Sequence, residues 1–332
     1  MVRALRRRVF SAAFLLLWLL LTQSLLPWAA EPSSESGDSL PLFREWQVWE
    51  VKSGKPIPFE QLAPDLAAVD VIYLGEEHHN RWHIEAALLV LRSLLDRGRR
   101  PILAVEMFGW DGQEALDRYL ADPSEARDRF LRESLWEQNW GGAFEDYEPL
   151  VRLAREQRLA VLALNPPKSL VRKVAMQGLS RAKDDPEMAR WGMKEEVLVE
   201  EPAYREIIVN QLRLCHGGMA DDAYERMYEA SVFRDEGMAK TIADRLKAAG
   251  AAQQTEPLGP IVSYTGSGHI QYRLPVPDRV SRRAESVRQV TIYLSSYDPS
   301  RAEEIRSLLK DSVADYVWLT PMSPHGPPRR CR

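Results

Sequence analysis

The chain has 332 residues, 45% of them hydrophobic, with 44 Lys and Arg against 48 Asp and Glu. That length carries a full core in one large domain or two smaller ones. Four of the basic residues and none of the acids fall in the first 30, so the rest holds 40 basic against 48 acidic side chains, which excludes the cationic surface that nucleic-acid binding needs.

Residues 1–30 join Arg3, Arg6, Arg7 and Arg8 to an apolar run from Val9 to Leu21 with a softer tail to Ala30. This is the pattern of a secretory signal peptide, or of a membrane anchor if it is not cleaved. Both readings export the body of the chain to the periplasm or cell envelope. No Cys follows the apolar run, so a lipid-attached amino terminus is not expected. Residues 31–42 read as a polar linker, and the globular domain is expected over 43–322.

WQVWEVKSG predicts a short edge strand that Pro56 and Pro58 end. A strand around Val69 to Leu74 follows, with a turn at Gly75 to His79 and a helix capped by Asn80. Ile84, Ala87, Leu88, Leu91 and Leu95 keep helical spacing up to a stop at Gly98. RPILAVEMF predicts the next strand, and helical stretches at 112–119 and 147–156 lead into the strand LAVLALN. Between 168 and 250 no strand pattern occurs; three or four helices form an all-helical insertion expected to act as a lid. PIVSYTG, QVTIYLSS and ADYVWLT resume the sheet. The fold class expected is α/β, with a mainly parallel central sheet flanked by helices. Residues 323–332 form a Pro- and Arg-rich tail expected to be mobile, and Cys215 and Cys331 are expected to be a free pair rather than a bridge.

Four of these strands end in a polar group: GEEHHN after Gly75, Glu106, Asn165 and GSGH at 266–269. The carboxyl ends of parallel strands share one edge, where ligands bind, so these groups are expected to meet. His78 and His269 offer imidazoles and Glu106 a carboxylate whose neighbours ask for burial. That set suits a divalent transition metal with one position open to water. Glu76 and Glu77 are then the candidate general bases. Asn165 and Asp235 are the further polar candidates, Asp235 facing either the pocket or water. His79 and His83 have the i, i+4 spacing of helical ligands, but a cap at Asn80 leaves His79 outside the helix, so this pair reads as structural. Met219, Met227, Tyr224 and Tyr228 of the insertion, with His216, would serve a flat apolar ligand if that segment is a lid.

The series GEEHHN, AVEMF, the Trp140–Tyr147 segment with Pro149, ALNPP, EASVFRDEGMA and GSGHI followed by Val276-Pro277 resembles the haem-binding uptake family ChaN, within the Tiki and erythromycin-esterase-like superfamily. The likeness spans roughly residues 45–280 in motif order. It implies an exported bacterial protein with an α/β core and helical lid that binds haem in iron acquisition, with His78, Glu106 and His269 as the superfamily's site. Two alternatives stand beside it: a metal-dependent hydrolase of esterase or peptidase type, and a non-catalytic envelope scaffold. The partners expected are haem or another small apolar ligand, the membrane where the leader is retained, and a second copy of the chain.

Overall fold

A computed structural model describes residues 43–251, 259–324 and 326. The leader, the linker and most of the tail, with Cys331, lie outside the described residues. Eight strands form one sheet: β1 (Val48–Glu50), β2 (Lys55–Ile57), β3 (Val71–Glu76), β4 (Ile102–Gly109), β5 (Val161–Asn165), β6 (Ile261–Gly266), β7 (Gln289–Ser296) and β8 (Tyr316–Thr320). Their order is β2-β1-β8-β7-β3-β6-β4-β5. β1 runs antiparallel to both β2 and β8, and every other pair is parallel. The mainly parallel α/β sheet expected from the alternation is present. Pro56 does not end the first strand but lies within β2 at the sheet edge, where a residue without an N–H is tolerated.

Alternate residues of the central strands feed two cores. Ile72 and Leu74 of β3 pack with Leu103, Val105 and Val262 against Ile84, Leu88 and Leu91 of the helix Arg81–Asp96. Val71 and Tyr73 face the other way, onto Met238, Ile242 and Val280. Strands buried on both faces are predominantly apolar, which is why β3, β4 and β6 read as near-continuous hydrophobic runs up to the polar groups at their carboxyl ends. Each fully buried Leu or Ile contributes about 2 kcal/mol. The helix after β3 begins as predicted, with Asn80 Oδ1 accepting from Trp82 N at 3.0 Å. It ends at Asp96, two residues before Gly98, whose φ is +70°.

The segment 168–250 contains five helices: Lys168–Gln177, Leu179–Ala182, Pro186–Arg190, Pro202–Cys215 and Asp221–Ala251. The last is more than a lid. Its Met238, Ala239 and Ile242 pack on one face of β3, β4, β5 and β6, and buried Glu236 pairs with buried Arg279 at 3.0 Å, tying it to the helix Val276–Arg283. Close packing explains a glycine inside this helix: a Cβ on Gly237 would lie 2.3 Å from Pro166 Cγ and 3.2 Å from Trp110 Cη2. Ala is intrinsically better than Gly in a helix by about 1 kcal/mol, yet here the stiff Pro166 ring must move. Gly237→Ala is therefore expected to destabilise by about 1–3 kcal/mol; a chemical denaturation midpoint at or above that of the parent would contradict the contact.

The free-cysteine expectation is corrected for Cys215, which is disulfide-bonded. Among the described residues no helix is long and apolar enough to cross a membrane.

Candidate functional site

Register alone brings the site together. β6 lies between β3 and β4, with Glu76 opposite Gly266 and Val105 opposite Tyr264. Glu76, Glu106 and Gly266 therefore stand side by side at the carboxyl edge. Gly75 does not make the sharp turn expected of it. It continues β3, and the absence of a side chain lets Ile270 approach, since a Cβ there would be 2.7 Å from the Ile270 side chain.

Glu76 is buried and both its oxygens accept hydrogen bonds. Tyr147 Oη donates to Oε1 at 3.0 Å, Tyr264 Oη to Oε2 at 2.7 Å, and His78 Nδ1 to Oε1 at 2.8 Å. Nδ1 donates to Glu76 in either protonation state, and only in the neutral ring does Nε2 carry the lone pair. The His78 side chain keeps 44% of its surface exposed to the cavity, and its ring stands edge-on to Trp140 at 4.9 Å. Burial pulls the His78 pKa down, but the hydrogen bond and charge of Glu76 outweigh it and the pKa rises.

Glu106, also buried, has its Oε2 filled by Gly266 N at 2.6 Å. Its Oε1 receives Arg234 Nη2 and lies 3.3 Å from His269 Nε2. His269 Nδ1 bonds to buried Asp235, and Asp235 in turn accepts from Tyr204 Oη. His269 Nε2 also lies 2.7 Å from Arg234 Nη2. A neutral ring would accept there from the guanidinium; an imidazolium would donate to Glu106. Two carboxylates against one guanidinium decide for the imidazolium: burial lowers the His269 pKa, but Glu106 and Asp235 carry it up to about 9. Burial alone would raise the Glu106 pKa, yet the neighbouring charges of His269, Arg234 and His78 hold it well below the ordinary carboxylate range.

The two halves meet over Gly266, where a Cβ would lie 3.0 Å from His78 Nε2 and 3.4 Å from Glu106 Oε2. His78, Glu106 and His269 thus share one cavity, as the sequence predicts. Among the described residues, however, no group of three or more His, Cys, Asp or Glu is placed to hold a metal ion. The cation between Glu106 and His269 is the Arg234 guanidinium, so the expected divalent-metal site is corrected to a hydrogen-bonded ion cluster.

The remaining candidates divide. Asp235 faces neither the cavity nor water; it is buried behind His269 and bonds to its Nδ1. Asn165 Nδ2 donates to the Glu106 carbonyl at 2.6 Å, and its Oδ1 has no partner. Glu77 turns away from His78 to Arg301 at 3.1 Å and to Ser296, and its backbone N–H donates to His83 Nδ1 at 2.9 Å. Burial and then the Arg301 charge hold the His83 pKa down to about 3, so that ring is neutral and structural. Neither Glu76 nor Glu77 has a free oxygen to serve as general base. His79 takes a left-handed φ of 61° and bonds through Nδ1 to Asp146 at 2.8 Å. Sequence reading missed Arg234, Tyr147, Tyr264 and Tyr204. Arg234 was signalled only by standing next to Asp235, and the tyrosines looked like ordinary core residues.

The cavity has a volume of about 950 Å³. Beside the ion cluster its walls include Trp140, Lys168, Val171, Leu214, Tyr272 and Leu308. The helical insertion thus supplies one wall, the part of the lid expectation that holds.

A family model described as haem-binding uptake, Tiki superfamily, ChaN matches residues 62–280. The chain belongs to this family. Among solved structures it is similar to ChaN of Campylobacter jejuni with cofacial haem, at 18% identity and a TM-score of 0.62 over 84% of this chain and 98% of that one, which shows the shared fold. It is also similar to an erythromycin esterase mutant, EreC, in its open conformation, at 13% identity and a TM-score of 0.48 over 84% of this chain and 97% of that one. The protein RETICULATA-RELATED 5, chloroplastic, of Arabidopsis thaliana is 24% identical over 275 residues, 76% of this chain. The chain spans about a third, 34%, of that curated relative's length.

Proposed function

We propose that this ChaN-family protein binds haem in the cavity at the carboxyl edge of its sheet and, once exported, handles haem or iron at the cell envelope. Membership of a haem-binding uptake family carries the reading. The cavity's residues fit the group. Its volume is near the upper end of small-molecule sites, roughly 300–1,000 Å³. His78, His79 and Tyr272 bring to it the donor types that haem iron takes. Val171, Leu214 and Trp140 offer apolar surface to a flat macrocycle, and Lys168, with no ion pair among the described residues, would meet a propionate. Bound haem would supply a redox-active iron. Export is supported by the arginine cluster and apolar run of residues 1–30. Membrane attachment through a retained leader and pairing with a second copy belong to the same proposal.

Titrating the purified protein with hemin is expected to give a saturable Soret shift. Leu214→Glu, which sets a charge on the apolar wall, is expected to weaken binding about tenfold, the equivalent of about 1.4 kcal/mol. A linear, unsaturable absorbance change would end the haem reading.

A further inference from the structure

We propose that the corner formed by Trp46, Trp82, Arg44 and Arg81 seats the domain on the phospholipid surface of the membrane to which the leader holds it. The inference rests on the membrane attachment proposed above and not on haem.

β1 runs antiparallel to β8, so the residues just ahead of β1 stand at the carboxyl edge, where Trp46 N–H donates to Leu319 O at 2.7 Å. The helix Arg81–Asp96 starts from the same edge, directly after β3. There the two tryptophan rings meet edge to face, with centroids 6.0 Å apart and planes at 88°. Trp82 is held by its own Nε1–H, which donates to the Met322 carbonyl at 3.1 Å, and Arg81 Cζ lies 4.3 Å over its ring.

Phe43 and Trp49 are 4% and 2% exposed, whereas Trp46 between them is 43% exposed. Trp46 also takes a left-handed φ of 65°, a conformation that a bulky residue keeps only when its surroundings hold it there. Strain that leaves an indole in water returns little packing to an isolated domain. An indole suits the layer between lipid headgroups and acyl chains: its body is apolar, and its N–H, which has no hydrogen-bond partner among the described residues in Trp46, can donate to an ester carbonyl. The Arg44 and Arg81 guanidinium groups can reach lipid phosphates while their stems cover apolar surface. Neither makes an ion pair among the described residues, and neither do Glu45 and Glu85 beside them. These four charges cancel, so the corner is drawn to the lipid interface itself rather than to surface charge.

Covalent geometry names the occupant. The apolar run of the leader ends by Ala30, and the domain begins at Phe43, three residues before Trp46. At about 3.5 Å per residue the chain between them reaches roughly 45 Å at most, comparable to the width of a domain this size. An anchor at that distance keeps this corner beside the bilayer. A tether so short gives an effective concentration in the millimolar range, roughly, at which a contact too weak to hold a free protein is occupied. The opposite edge is unsuited to lipid. The loops leading into β4, β5 and β7 present exposed Arg100, Arg158 and Arg288 and, among the described residues, no exposed large hydrophobic side chain.

The test uses the full chain reconstituted through its leader into phosphatidylcholine vesicles that contain a diazirine-labelled phosphatidylcholine. After irradiation, lipid adducts are mapped by peptide mass spectrometry. Adducts are expected in the leader and around Trp46, Arg81 and Trp82, with none around Arg288. Trp46→Gly removes the ring and suits the positive φ, so the variant is expected to stay folded, keep its leader adducts and lose about tenfold in adducts at the corner. Arg81→Glu, an acid in the first turn of a helix where it is well tolerated, serves as the second variant and is expected to lower the same adducts. The proposal is overturned by leader adducts without corner adducts, by corner yields unchanged in both variants, by adducts spread equally over both edges, or by a sedimentation dimer that Trp46→Gly breaks, which would give the corner to a second copy. Leader adducts alone reject this inference and leave membrane attachment standing; no adduct anywhere rejects both. The hemin titration reads the haem proposal independently of either.

Discussion

Arg234→Met is expected to lower the stability of the fold by about 3 kcal/mol, with a fall in melting temperature of roughly 6–12 °C. The reason lies in what the guanidinium leaves behind. Glu106 and Asp235 are 2% and 0% exposed, and without Arg234 only His269, with a smaller contribution from His78, remains to compensate two buried carboxylates. Removing one partner of a buried ion cluster typically costs about 3–5 kcal/mol. Arg234 keeps 31% of its side chain exposed, so the lower end of that range applies. Methionine retains most of the stem's packing, which assigns the loss to charge rather than to a void. Adding Glu106→Gln is expected to recover a large part of the loss, because the unpaired charge disappears with it. Equal stabilities for Arg234→Met and the parent would mean that His269 alone satisfies both acids.

The second large effect is a loss of stability on the alkaline side. His269 has a folded pKa of about 9 against an ordinary 6.5. A raised pKa means that the folded state holds its proton more tightly than the unfolded chain. The contribution is complete below about pH 6.5 and disappears as pH climbs through 9, and a difference of this size is worth on the order of 3 kcal/mol. His78, raised by Glu76, adds a smaller loss of the same sign. Glu106 works at the opposite end. Its folded pKa lies well below the ordinary 4.5, so its contribution is present above about pH 4.5 and is lost as acid protonates it. His83, held neutral with a folded pKa of about 3, takes stability away as pH falls below 6.5. Urea denaturation is therefore expected to find maximal stability near pH 6.5, with a decline towards acid and another towards about pH 9.5. His269→Gln is expected to flatten the alkaline limb. A parent stability that is level from pH 6.5 to 9.5 would show that the ring is neutral and accepts from Arg234.

Much of this arrangement was legible before any coordinates. Val71 to Leu74 and Ile102 to Val105 are apolar without interruption, and Ile261 to Tyr264 is broken only by the small Ser263, as strands covered on both faces require. A polar group directly after each run then marks the edge where parallel strands end together, so the meeting of His78, Glu106 and His269 follows from topology. What the bare pattern does not encode is rotamer and partner. Glu76 and Glu77 are adjacent and chemically alike. In a strand continued past its end they point to opposite sides, one to the imidazole of His78 and the other to Arg301. Arg234 lay hidden for a different reason: its helix carries charges all along its length, and nothing local distinguishes the one that reaches inward. Reading the His, Glu and His as metal ligands supplied the right cavity with the wrong cation. The edge hairpin of β1 and β2 shows the same limit, since an isolated Pro56 is equally compatible with ending a strand or lying on an unpaired rim.

The position of β6 has a consequence for how the molecule comes into being. Tyr264 and Glu76 touch although 188 residues separate them, and the strand that unites β3 with β4 is synthesised after the whole insertion. Until it arrives, β3 has no partner strand and β4 is paired only on its β5 side, so both keep exposed backbone, a sticky condition for a nascent polypeptide. A chain that is threaded across a membrane before it folds would pass that vulnerable stage on the far side, where escorts and crowding differ. Any ligand taken up between these strands must therefore be loaded after folding is complete, by the finished protein rather than by a growing one.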